Sequence, residues 1–284
     1  MPYIHTRDHT RLFYGDGGTG KPIVFVASAW LDSRMWEFQI PYVVDHGFRC
    51  IAYDRRGHGR SDSPWEGYDY DTLADDLATL LEHLDLRDLT LVSHSAGAGE
   101  IVRYLARHGD ARVARIAIVS GTTPGMMKRA DNLDGIEIEL VRADLATRTA
   151  DRPKWYAENA DGFFGVGLPG IRLSPEFAEF VIRQCLTCSA RATVQFFLTG
   201  FTSDFRDQLR AINVPTLIVH GDHDIQAPLE LCGRKTAQLV RQSTLRVYEN
   251  AAHGLFLTHA DRLNTDLLAF VRVPESHAIA SVTA

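Results

Sequence analysis

The chain has 284 residues, 45% of them hydrophobic and 23% charged, with a formal net charge of −6. That is the make-up of an ordinary soluble globular protein, long enough for one large α/β domain with an insertion. An acidic balance without a long basic run sets nucleic acid aside as a partner, and no stretch approaches the roughly 20 apolar residues that cross a bilayer.

The first residues lack the basic-then-apolar pattern of a signal peptide, and four cysteines (Cys50, Cys185, Cys188, Cys232) make no disulfide framework in a chain this long. A reducing cytoplasm is the expected compartment. Residues 2–5 and 10–14 read as strands of a hairpin or meander, followed by the turn cluster Asp16-Gly17-Gly18-Thr19-Gly20. No G-K-[ST] and no helix follows Gly15–Gly20, so it is not a phosphate loop. Pro22 to Val26 is a continuous apolar run of the kind buried on both faces of a parallel sheet. A helix is expected over 34–46 and a strand over 50–53. A further helix is expected over 72–84, where the apolar positions 73, 74, 77, 80, 81 and 84 share one face and Asp71 is the candidate N-cap.

Leu89 to Val92 reads as a strand running into Ser93-His94-Ser95-Ala96-Gly97, with a helix over 96–108 and a strand over 113–119. Strand and helix alternating at this spacing predict a mostly parallel, doubly wound sheet. From 125 to 204 only helical stretches rich in aromatics occur. The strand pattern returns at 214–220 and 244–248, and a last helix is expected over 260–272. The predicted organisation is an α/β core over 1–124 and 205–273, a helical cap over 125–204, and a frayed tail over 274–284. Cys185 and Cys188 form a C-x-x-C, but no second pair follows and the flanks are apolar and helical, so both are expected to pack.

Three short segments carry the chemistry: the Ser95 turn, then His220-Gly221-Asp222-His223-Asp224, then Ala251-Ala252-His253-Gly254. They put a serine, a carboxylate and a histidine at the ends of three predicted strands, in the order Ser, Asp, His. A serine hydroxyl attacks only when a base removes its proton, and His253 is placed for that role. Asp222 or Asp224 can fix the imidazole tautomer. The nucleophile turn wants small residues two before and two after the serine. Here they are Ser93, in place of the usual glycine, and Gly97. The Ala96 N–H, at the following helix N-terminus, can face a developing oxyanion.

On these residues the chain resembles the α/β-hydrolase superfamily, nearest to its bacterial arylesterases and cofactor-free haloperoxidases (perhydrolases). The similar stretches are Met35-Trp36-Glu37-Phe38-Gln39, Ala52 to Asp62, the Ser95 turn, Arg103 to Gly109, Val214 to Pro228 and Asn250 to Val271. The resemblance implies the α/β-hydrolase fold with an inserted helical cap. It also implies that the acid is the aspartate of D-x-x-x-P, which is Asp224 in Asp224-Ile225-Gln226-Ala227-Pro228. The second oxyanion N–H would come from Ala29. The family's His-Gly-aromatic loop is replaced here by Ala27-Ser28-Ala29, followed by Trp30. In the resembling family the loop bearing His58 is structural, and His94 should point beneath the nucleophile turn. His220 and His223 lack metal-site spacing. Some cap aromatics should face the pocket, and Trp30, Trp155, Phe164 and Phe197 are the candidates for substrate contact.

The resulting expectation is a serine hydrolase that cleaves a carboxylic ester through an acyl-enzyme, with Ser95, His253 and Asp224 as triad and no metal or organic cofactor needed. Its partner would be a small-molecule ester or lactone. A lactonase acting on a bulky or macrocyclic ring and a perhydrolase share the same chemistry. A ligand receptor, or a cofactor-free lyase or oxygenase, could reuse the same three residues. Epoxide hydrolases and haloalkane dehalogenases use aspartate at the nucleophile turn, and Ser95 argues against both.

Overall fold

A computed structural model describes residues 2–273; the expected tail 274–284 lies outside the described residues. In chain order, β1 (Tyr3–His5), β2 (Arg11–Gly18) and β3 (Pro22–Val26) are followed by a 3-10 turn (Ser33–Trp36), α1 (Gln39–Asp45) and β4 (Arg49–Tyr53). Then come α2 (Tyr70–His83), β5 (Leu89–His94), α3 (Gly97–His108) and β6 (Val113–Val119). Five helices, α4 (Ile138–Ala150), α5 (Arg152–Phe164), α6 (Pro175–Leu186), α7 (Ala190–Thr202) and α8 (Arg206–Arg210), separate β6 from β7 (Thr216–Gly221). The described chain finishes with α9 (Gly233–Leu239), β8 (Ser243–Tyr248), α10 (Leu255–Thr258) and α11 (Ala260–Arg272).

The strands form one eight-stranded sheet in the order β1-β2-β4-β3-β5-β6-β7-β8. Pairings from β4 through β8 are parallel, and only β1–β2 and β2–β4 are antiparallel. The doubly wound architecture read from the sequence is therefore present. Alternation along β3 shows why its apolar run must be continuous. Val24 and Val26 face a core built with α2 and α3, while Ile23 and Phe25 face the opposite core with Trp36, Val43 and the α11 residues Leu263 and Leu267. None of the described helices is long and apolar enough to cross a membrane.

Three local expectations need correction. The predicted turn at 16–20 is largely strand: Asp16, Gly17 and Gly18 pair with Ile51, Cys50 and Arg49 of β4. A glycine is required at the end of that run, because a Cβ on Gly18 would stand 2.3 Å from the Phe48 carbonyl oxygen. The helix predicted over 34–46 is broken in two. Asp32 caps the 3-10 turn through the Arg34 N–H, and Pro41, which has no N–H to give, fits only the first turn of a new helix. The N-cap of α2 is Asp69, in extended backbone and accepting the Thr72 N–H, whereas Asp71 lies inside the first turn and pairs with Arg103. The two cysteines of the C-x-x-C are buried free thiols at the end of α6, and burial pushes the Cys188 thiol up to about 11.

Candidate active site

β5 delivers Ser95. Its N–H donates to the Val119 carbonyl at 3.0 Å, as though the strand continued, yet its backbone turns into the left-handed region with φ 55°. A non-glycine residue sits there only when its surroundings hold it. The close approach that holds it is visible at Gly97, where a Cβ would lie 2.8 Å from the Ala27 carbonyl oxygen. Ser93, the departure from glycine, is accommodated. Its side chain is fully buried and its hydroxyl points at the Ala117 carbonyl of β6, 3.5 Å away.

His253 sits on the loop after β8, with Nε2 2.9 Å from Ser95 Oγ and Nδ1 2.8 Å from Asp224 Oδ2. An ionised carboxylate can only accept, so Nδ1 carries the ring proton and Nε2 offers its lone pair to the serine hydroxyl. Asp224 Oδ1 is filled by the N–H groups of Gln226 (3.0 Å) and Ala227 (2.8 Å). Burial alone would push the Asp224 carboxyl up. Facing His253 and His220 and accepting the Ala227 N–H, it ends below the ordinary carboxylate range. Asp222 has other partners, the His223 ring at 2.7 Å and the Ala251 N–H at 3.3 Å.

The other histidines support this arrangement from below. His94, fully buried under the turn, donates from Nε2 to the His253 carbonyl oxygen at 2.8 Å. Burial, then the neighbouring His253, lower its pKa to about 3, so it is neutral. His220 donates from Nε2 to the Ala227 carbonyl oxygen at 2.6 Å and so ties down the Asp224 loop.

Among the described residues nothing accepts from the N–H of Ala29 or of Ala96, and both residues line the same cavity as Ser95 and His253. No side chain caps α3 in front of that cavity. Ala27-Ser28-Ala29 keeps its shape through groups far away in sequence. Arg55 donates to the carbonyls of Ala27 (2.9 Å) and Ser28 (3.2 Å), and to Glu100 at 2.8 Å. Burial pulls Arg55 down to about 10, still charged at neutral pH. Trp30, at φ 63°, donates its N–H to His58 Nε2 at 3.3 Å, while His58 Nδ1 donates to the Arg56 carbonyl at 2.8 Å. His58 is thus structural, as expected, but its partner Trp30 was not legible: the contact joins two loops that only the sheet brings together.

The cavity holds about 390 Å³ between the sheet edge and the helices α4, α5 and α7. Of the four predicted substrate contacts, Trp30, Trp155 and Phe197 line it. Phe164 does not. It is buried against Gly254 and lines a smaller space of about 40 Å³ next to it. Sequence reasoning missed Arg148, Gln226 and Met126, which also line the cavity. An arginine inside an aromatic-rich helical insert is the signal that could have found the first.

Comparison with known proteins agrees with the geometry. The model of the alpha/beta hydrolase family matches residues 23–266. A non-heme chloroperoxidase of Kitasatospora aureofaciens is 40% identical over 95% of this chain and 99% of its own length. A bifunctional esterase/perhydrolase of Acinetobacter calcoaceticus is 37% identical over 96% of this chain and 100% of its own. An esterase from Exiguobacterium antarcticum superposes with a TM-score of 0.90 at 29% identity, covering 95% of this chain and 99% of that one. By fold, by the order of its site residues and by these matches, the chain belongs to the alpha/beta hydrolase family.

Proposed function

We propose that the protein is a serine hydrolase cleaving a carboxylic ester through an acyl-enzyme. The observation that carries this reading is the continuous relay Ser95–His253–Asp224, opening onto two unclaimed backbone N–H groups. Ser95 Oγ attacks the ester carbonyl as His253 Nε2 takes its proton, and the Ala29 and Ala96 N–H groups receive the oxyanion. His253 returns the proton to the departing alcohol. Water then enters and attacks the acyl carbonyl as His253 takes its proton, and His253 returns that proton to Ser95 Oγ as the acid is released. Asp224 holds the ring in the required tautomer and stabilises its cation.

A cavity of about 390 Å³ lies at the small end of ligand sites, which supports a compact ester or lactone over a macrocyclic one. The bifunctional relative supports a second outcome for the same acyl-enzyme: hydrogen peroxide in place of water, giving a peracid.

The test is intact-protein mass spectrometry after treatment with an activated fluorophosphonate, on wild type and Ser95→Ala in parallel. One adduct on the wild type, absent from the variant, is expected, and ester turnover should fall with it. A folded wild type that takes no adduct would overturn acyl chemistry and move ligand reception or a lyase reaction forward. Adding peroxide during turnover and assaying peracid separates the hydrolase from the perhydrolase.

A further inference from the structure

Arg148 of α4 is only 3% exposed, and arginine is almost never buried to that degree unless paired. Its guanidinium carbon lies 3.5 Å from the Trp155 ring centroid, 3.9 Å from that of Trp30 and 4.7 Å from that of Phe197. These rings line the cavity that also holds Ser95 and His253, and Arg148 lines it with them. Three aromatic faces attract a cation but accept none of its in-plane hydrogen bonds.

The hydrogen bonding is incomplete. Nη2 donates to Asp144 Oδ2 at 3.0 Å, and Asp144 Oδ1 accepts from the Trp155 indole N–H at 2.9 Å. Arg148 Nε and Nη1 make no hydrogen bond. Burial pulls the Arg148 guanidinium down from the ordinary arginine value, while Asp144 and then the adjacent Tyr156 hydroxyl, itself buried and short of good hydrogen-bond geometry, favour the charged form. Whichever Nη2 hydrogen Asp144 takes, one two-donor edge of the guanidinium is left without a partner, and such an edge matches the two oxygens of a carboxylate; its Nε and Nη1 are closed off by the surrounding side chains, which must turn aside for a ligand to reach them. Two acidic groups also line the cavity. Asp144 is already engaged by Arg148 and Trp155, and Glu158 is exposed and pairs with Lys154 at 3.7 Å.

We propose that Arg148 determines specificity at this site, and that the substrate is an ester or lactone bearing a carboxylate, received by the unpartnered edge of the guanidinium as the covering side chains give way, while Ser95 faces the scissile carbonyl. The substrate class rests on the proposed hydrolase activity; the anion site itself does not. No other lysine or arginine lines the cavity among the described residues.

Two matched substrate pairs test this: phenyl hemiadipate against phenyl hexanoate, and 4-acetoxybenzoate against phenyl acetate. The readout is the ratio of kcat/KM within each pair, for wild type, Arg148→Lys and Arg148→Met. Wild type should prefer the anionic member of at least one pair. That preference should fall by about 10- to 100-fold in Arg148→Met, the range of a charge-assisted hydrogen bond, and by less in Arg148→Lys, which keeps the charge but not the fork. In parallel, Ser95→Ala is titrated with adipate and with uncharged adipamide, following the fluorescence of Trp30 and Trp155. A saturable change with adipate alone is expected. If no ester is turned over, this binding arm still decides the anion site, and the hydrolase activity alone has failed. The proposal is overturned if wild type shows no anionic preference and adipate does not bind. It is equally overturned if Arg148→Met loses stability while the ratio stays put. Should Arg148→Met not fold, the Lys variant and the titration decide between the same two outcomes.

Discussion

Asp222 and Asp224 stand two residues apart on one loop, and their surroundings give them different work. Asp224 is buried, filled on one oxygen by backbone N–H groups and directed at the His253 ring by the other. Asp222 braces the His253 loop through the Ala251 N–H. Replacing Asp224 with Asn keeps the shape but offers an amide where the ring needs an acceptor, so kcat should fall by about 10³–10⁴. Asp222→Asn should keep activity within about threefold, because a surface brace is a weak contact. Steady-state kinetics on any accepted ester decides, and the opposite ranking would transfer the acid role to Asp222. The sequence left the two alternatives open on spacing, and resemblance chose between them. Arg148 was out of reach at this scale: its meaning depends on Trp30, which is more than a hundred residues away in sequence and adjacent only in space.

Among the elements, the loop after β3 is the instructive one. The sequence shows a family motif replaced by Ala27-Ser28-Ala29, which reads as a loss. Only the backbone donates there, and its position is fixed by Arg55 and His58 at the end of β4. Removing the imidazole leaves the Trp30 N–H buried without an acceptor, a cost of about 1–3 kcal/mol. His58→Ala should therefore lower kcat by about tenfold, with a smaller change in KM, when measured on a neutral ester. Unchanged kcat would mean that the loop is held by Arg55 alone. Element types were legible where the local pattern was strong, as in the helical period of α2 and the continuous apolar run of β3. Boundaries failed where a neighbour's backbone decided them: β2 continues through Gly18 only because β4 lies alongside, and no pattern local to residues 16–20 records that.

Over the whole molecule, the mostly parallel, doubly wound sheet followed from alternating strand and helix, while its strand order and the residues that close the site over it did not. Burial of histidines beneath the site has a global effect. Burial first, then nearby charge, lower both His58 and His94 to about 3, well under the ordinary histidine value. Between that value and about pH 6.5 the unfolded chain binds protons that the folded chain refuses. Stability should thus be fully present above pH 6.5 and decline as pH falls toward 3, each histidine adding a slope of about 1.4 kcal/mol per pH unit. Urea midpoints at pH 7.5, 6 and 5, with proton uptake on unfolding measured by calorimetry in two buffers, check this. A midpoint flat across that range would show that these rings protonate in place.

Gly254 follows His253, and its N–H donates to the Phe163 carbonyl at the end of α5 at 2.7 Å, where a Cβ would strike the Phe164 ring at 2.6 Å. The Phe163 ring also stands edge-on to His253, 5.4 Å between centroids. Base and roof are therefore fastened at one point. A displacement of the end of α5 away from the sheet would break that tie and withdraw the ring packed against the His253 imidazole. The height of the roof and the setting of the imidazole are thus one adjustment and not two.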